Sequence, residues 1–254
     1  MAIRQILSML ERCSTEETPL PPTILYNEGW MLRLVIDWFA THPITDHYLS
    51  FPEDGKWYSE ALLPSPFLPR YQGDRFAESW THADGIIGHF VIGQAGVGDL
   101  SLLPHATHLV ILEAKMFSKL STGVTHAKYY NQAARNVACI AEILKVGKRK
   151  PSELNSLGFY VIAPRSQIEE GVFAKLITHD SIRKIVERRV NEYDESKENW
   201  FHNWFLPTLE KIDLRTISWE EIILKIVELD PSSGKKLENF YEPCLKFNRL
   251  EVAQ

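Results

Sequence analysis

With 254 residues, 44% of them hydrophobic and 24% charged, the chain has an ordinary globular composition and enough length for a sizeable core. Its 28 basic and 33 acidic residues leave a formal charge of −5, so there is no global basic signal, and any nucleic-acid contact must come from a local patch. The scattered Cys13, Cys139 and Cys244 argue against a disulfide scaffold or a cysteine zinc site, and no segment approaches the ~20 apolar residues of a membrane span, so a reducing cytoplasm is the expected setting.

Residues 3–12 read as a short amphipathic helix (Ile3, Ile6, Leu7, Leu10), followed by a proline-rich loop to Pro22. A second helix is expected from Thr23 to about Ala40. At roughly 100° per residue, Ile24, Met31, Leu32, Val35 and Phe39 form its apolar stripe, and Glu28 falls in the middle of it. A carboxylate on a core-facing stripe is costly unless paired. The alternative is a later helix start, which leaves Glu28 in an exposed first turn favoured by the helix dipole. Arg33 and Asp37 lie on the opposite face.

Residues 43–80, rich in proline and aromatics, read as a long ordered loop with at most a short strand. Ala83–Ile92 reads as a strand with Asp84 at its entrance, Gly93–Gly98 as a turn, and Leu100–Leu103 as a further short strand. His108–Lys115 (HLVILEAK) is a short apolar run that ends in an acid, a small residue and a base. Side chains two apart share a face of a strand, so Glu113 and Lys115 project together. A long amphipathic helix follows, Thr125 to Val146, on whose polar side Lys128, Gln132, Arg135 and Asn136 cluster; such a stripe usually marks a solvated face. Leu157–Ile162 is another buried strand, and residues 169–230 read as mostly helical, with Leu237–Leu245 as a last turn or two.

This order predicts a single α/β domain: a mixed central sheet flanked by helices over residues 23–165, then a C-terminal helical layer over 166–254. Asp84 and Glu113 are 29 positions apart (113 − 84), the separation expected when a hairpin joins adjacent strands. Two carboxylates with the Ala114 carbonyl between Glu113 and Lys115 form a hard oxygen set that suits Mg²⁺ or Mn²⁺. Such an ion activates water and stabilises charge developing on phosphorus, and Lys115 adds a second cation.

At these residues the chain resembles the PD-(D/E)XK nuclease superfamily, with its restriction-endonuclease-like fold. Asp84-Gly85-Ile86-Ile87 is similar to the first half of the motif, with Ala83 in place of the proline, and Glu113-Ala114-Lys115 to the second half. The family's helix–strand–strand–strand–helix–strand core is similar to residues 23–162, with the loop 43–80 and the C-terminal helices outside the resemblance. Glu28 and Gln132 occupy places similar to the helix Glu and Gln of the exonuclease-like branch. The resemblance implies metal-dependent hydrolysis of phosphodiesters in nucleic acid, DNA above all, by a protein that works alone, as a homodimer or within a larger nucleoprotein assembly. Asp84, Glu113, Ala114 and Glu28 would be at the metal, Lys115 would stabilise charge, and Gln132 would position substrate or the lysine. Asp99, beside the glycine-rich turn, is the rival to Asp84. The competing reading is a nuclease-like module that binds nucleic acid or a protein without cutting.

Five histidines between His82 and His126 are more consistent with strand ends near an anionic site than with a zinc centre. Gly93–Gly98 lacks the Gly-Lys-Ser/Thr of a phosphate loop, and no Gly-x-Ser-x-Gly elbow occurs. Trp200, Phe201, Trp204 and Phe205 read as a core helix face. The basic clusters Lys145–Lys150 and Arg183–Arg189 are the candidates for backbone contact.

Overall fold

A computed structural model describes residues 2–14, 20–78, 80–94, 96, 99–124, 127–193 and 197–249. Its centre is a five-stranded mixed sheet of β1 (Lys56–Leu63), β2 (Thr81–Gly88), β5 (His108–Ala114), β6 (Ser156–Ala163) and β7 (Asp213–Ser218), in that spatial order. The first three strands are antiparallel and the last three parallel. β3 (Phe90–Ile92) and β4 (Leu100–Leu102) pair only with each other, as a separate small sheet.

Both faces of the sheet are covered, which explains why β5 and β6 are apolar on both sides. On one face α3 (Gln132–Val146), joining β5 to β6, packs with α4 (Arg165–Glu169), α5 (His179–Asn191), α6 (Glu198–Trp200), a π-turn (Phe201–Phe205) and α7 (Leu206–Lys211) nearby. On the other face lie α2 (Glu28–Thr41), α8 (Trp219–Leu229) and α9 (Pro231–Asn248). The first helix, α1 (Ala2–Glu11), buries no residue. Trp200, Phe201 and Phe205 are core residues, as the helical spacing predicts.

The α/β class and the flanking helices agree with the sequence reading, while several boundaries differ. The segment 43–80 contains a full eight-residue strand, β1, whose alternation is obscured by the prolines around it. The stretch 169–230 is not wholly helical. β7 pairs with β6 in parallel, so the C-terminal third supplies a strand as well as helices. The last helix, α9, runs for 18 residues, from Pro231 to Asn248.

Helix starts are set by caps that the periodicity overlooks. The second helix begins at Glu28 and not at Thr23: Pro22–Ile24 form a 3₁₀ turn, and the Asn27 side chain accepts a hydrogen bond from Trp30 N at 2.9 Å. In the same way α3 begins at Gln132 and not near Thr125, because Asn131 caps it by accepting from Ala134 N at 3.0 Å. Among the described residues no helix is long and apolar enough to cross a membrane.

Candidate metal centre at the end of β5

The β2–β5 ladder runs from Gly88↔Leu109 to Gly85↔Leu112. One further step would set Asp84 opposite Glu113, in a pair of the type that brings side chains closest together. There the strands part: the Ala114 N–H is taken by Asp84 Oδ2 at 2.8 Å. The carboxylate thus substitutes for a main-chain acceptor, which pins Asp84 at the mouth of the gap.

The neighbouring strand bends at the same level. Its Glu60 has φ +59°, a left-handed conformation that a non-glycine residue adopts at a cost. Trp57 packs in the α2 layer, whereas Ala61 and Leu63, which a regular strand would place on the same side, pack in the α3 layer. By the same register Glu60 stands opposite Asp84, between Ser59↔Gly85 and Ala61↔Ala83. Just after Asp84, a Cβ on Gly85 would come within 2.8 Å of Ile36 and 3.0 Å of Leu32, so the missing side chain lets α2 sit directly on the sheet.

An open cleft of about 360 Å³ results, lined by Asn27, Glu28, Gly29 and Arg33 of the α2 end, Glu60 of β1, Asp84 of β2, and Ala114 and Lys115 of β5. Glu113 lies behind this wall at 1% exposure. Lys115 Nζ and Gln132 Nε2 each approach Glu113 Oε1 at 2.5 Å, and Asn136 Nδ2 lies 3.5 Å from Oε2. The Gln132 side-chain Oε1 accepts from Ser121 N at 3.1 Å, tying this cluster to the loop after β5. The Lys115 backbone is held on both sides, its N–H donating to Ile162 O at 2.8 Å and its carbonyl accepting from Trp219 Nε1 at 2.9 Å. A fully buried tryptophan of the C-terminal extension therefore fixes the lysine.

Burial and the adjacent Asp84 carboxylate push the Glu113 carboxyl up to about 8; Lys115 opposes this without reversing it. An acid with only 1% exposure loses nearly all its hydration, and one ammonium does not replace it when a second carboxylate is alongside. The site is short of positive charge.

That shortage, together with the donor set, fits a hard divalent cation. Asp84, Glu113 and the Ala114 carbonyl would hold it, with Glu28 at the other side of the cleft. Among the described residues no three His, Cys, Asp or Glu side chains converge into a ready-made metal cluster. Two carboxylates with a carbonyl and water are a sufficient set for Mg²⁺, which keeps part of its hydration shell.

Asp84, Glu113, Ala114, Lys115 and Gln132 come together, and Glu28 lines the same cleft. Glu28 is half-buried in the first turn of α2, however, and not in the middle of an apolar stripe: the later helix start holds, and Glu28 lines the cleft from the helix N-terminus. The polar stripe of α3 is not solvated. Gln132 and the buried Asn136 both turn inward to Glu113, and Lys128 lies outside the helix. Asp99 is buried elsewhere: it accepts from Gly96 N at 2.7 Å and bridges to Leu62, and β4 beside it does not pair with β5.

Of the two basic clusters, the one on α5 exposes Arg183 and Arg188. Lys145–Lys150 lie at the far end of the 15-residue α3, about 20 Å from Gln132 at 1.5 Å per residue. Arg189 is fully buried against Phe67, Tyr130 and Tyr193. Of the histidines, His89 bonds the Glu53 carbonyl at 2.9 Å, His82 is exposed, and His126 lies outside the described residues. Sequence reasoning missed Glu60, Asn136 and the part played by Arg33. The inward polar stripe of α3 was the available signal for Asn136. No family model, curated protein or solved structure matches the chain.

Proposed function

We propose that the protein is a divalent-metal-dependent nuclease with a restriction-endonuclease-like core, hydrolysing phosphodiester bonds in nucleic acid, DNA in the first instance. The observation that carries this reading is the convergence of Lys115 and Gln132 on one oxygen of buried Glu113, with Asp84 beside it and Glu28 lining the same cleft. The order α2, β1, β2, β5, α3, β6, with β3 and β4 inserted between β2 and β5, and the nearness of Asp84 to Glu113 just past the end of the β2–β5 ladder support the PD-(D/E)XK reading.

Asp84, Glu113 and the Ala114 carbonyl would hold Mg²⁺ or Mn²⁺, which would supply Lewis-acid charge for the phosphate and acidify a bound water. The remaining work belongs to the chain. Gln132 fixes the Glu113 carboxylate from behind, and its tie to Ser121 keeps it from rotating away. Lys115 donates to Glu113 in the free protein; with charge supplied at Glu113, its ammonium is available to the phosphate oxygens, where negative charge grows during displacement. Glu28, half-buried and open to the cleft, accepts a proton from or orients the attacking water.

The non-cutting alternative is weaker on charge. Glu28, Glu60 and Asp84 on the cleft wall outnumber Arg33 and Lys115, so without a cation the cleft repels a polyanion. Purified protein is expected to cut plasmid or single-stranded DNA in Mg²⁺ or Mn²⁺, with all cleavage lost in excess chelator and restored on adding metal back. Cleavage that persists in chelator, or its absence with both ions, overturns the proposal.

A further inference from the structure

We propose that the substrate is taken as a single strand, with one base stacked on the indole of Trp30 at the rim of the cleft. This rests on the hydrolytic reading of the site and adds the form of its substrate. Trp30 lies on α2 between cleft residues Gly29 and Arg33, and its backbone N–H is held by Asn27 at 2.9 Å. The helix buries Met31, Leu32, Val35 and Ile36 against the sheet but leaves Trp30 41% exposed. The Arg33 guanidinium sits 5.0 Å from the ring centroid and forms part of the cleft wall.

At this rim the Arg33 guanidinium lies over one face of the Trp30 ring, so an indole and a cation come together, the pairing that engages a nucleobase and its phosphate. Arg33 is held in the free protein by Glu60 at 3.2 Å and by Ser59 Oγ at 2.9 Å. Gly29 makes room for it: a Cβ there would come within 3.3 Å of Arg33 Nη1. A strand phosphate competes with Glu60 for the guanidinium, while the adjoining base covers the indole.

The single strand follows from chemistry. Bases in a duplex stack on one another and offer no free face, whereas a single strand exposes them. Duplex binding draws mainly on phosphate contacts from a basic surface, and this cleft carries more acids than bases.

The test is fluorescence anisotropy with short labelled single-stranded DNA, single-stranded RNA and hairpin duplex DNA, in Mg²⁺. The full chain is used in a Lys115→Ala background so that the strands stay uncut. Single strands should bind more tightly than the hairpin, Trp30→Ala should weaken the preferred single strand about tenfold, and Trp30→Phe should restore most of the loss. Quenching of tryptophan emission on binding should shrink in Trp30→Ala. Loss in either the DNA or the RNA arm supports the proposal. Unchanged binding by Trp30→Ala, or tighter binding of the hairpin, overturns it. If the wild-type protein still cuts in Mg²⁺ while Trp30→Ala binds normally, only the stacking falls; if it neither cuts nor binds, the hydrolytic reading falls too.

Discussion

Replacing Glu113 with Gln is expected to abolish cleavage and, in chelator at alkaline pH, to make the protein more stable. Both effects come from the same geometry. Glu113 is 1% exposed and beside Asp84, so its charged form is disfavoured and its carboxyl is raised from 4.5 to about 8. A carboxyl raised in the folded state stabilises fully below its ordinary value, while protonated, and that contribution is lost as pH rises through about 8. Metal-free wild-type protein should therefore lose stability between pH 4.5 and 8 through this group, by roughly a few kcal/mol at most. Gln cannot ionise, keeps an acceptor for Lys115 and Gln132, and can donate toward Asp84. In thermal melts near pH 8.5 with chelator, Glu113→Gln should melt higher by about 2–8 °C. The gap should close near pH 5, and added Mg²⁺ should raise the wild type alone. A Glu113→Gln protein that melts below the wild type at pH 8.5 would contradict the account of Glu113 as a buried acid awaiting a cation.

Lys115→Ala should lower the cleavage rate about 10²–10⁴-fold while leaving the divalent-ion affinity within about tenfold. Lys115 contributes no metal oxygen; its role is the ammonium beside Glu113, 12% exposed and facing the cleft. Removing one partner of a buried pair commonly costs ~3–5 kcal/mol. The loss here should be smaller, because Glu113 can take up a proton when the ammonium is gone. Lys115→Arg should recover little, since the planar guanidinium does not reproduce a compact charge on a backbone clamped by Ile162 and Trp219. Comparing single-turnover rates with ion titrations separates the two roles. Equal collapse of rate and affinity would make Lys115 a structural prop for the metal ligands.

Much of the site was legible because its signals are local. Glu113-Ala114-Lys115 at the end of an apolar run needs only strand periodicity to be read. Asp84 follows from its place at the entrance to a neighbouring strand, and the choice over Asp99 depends on a pairing that sequence leaves open. That pairing is long-range: β2 binds β5, whereas β4 binds β3. Helix starts were misread because a single hydrogen bond from Asn27 or Asn131 decides them, and hydrophobic spacing carries no trace of it. Asn136 shows the limit of a polar stripe as a signal. A helical wheel separates polar from apolar sides, but it cannot tell water from a buried carboxylate on the polar side. Glu60 needed the backbone itself, since its turn to positive φ lies in a strand hidden within a proline-rich segment that reads as loop.

Mn²⁺ titration followed by electron paramagnetic resonance tests most directly whether Asp84 and Glu113 build a divalent-cation site. The wild-type protein should take up Mn²⁺ in competition with Mg²⁺, and uptake should disappear in both Asp84→Asn and Glu113→Gln while both variants keep the wild-type circular dichroism. Wild-type protein that leaves Mn²⁺ free in solution, or variants that bind it as the wild type does, would contradict the account.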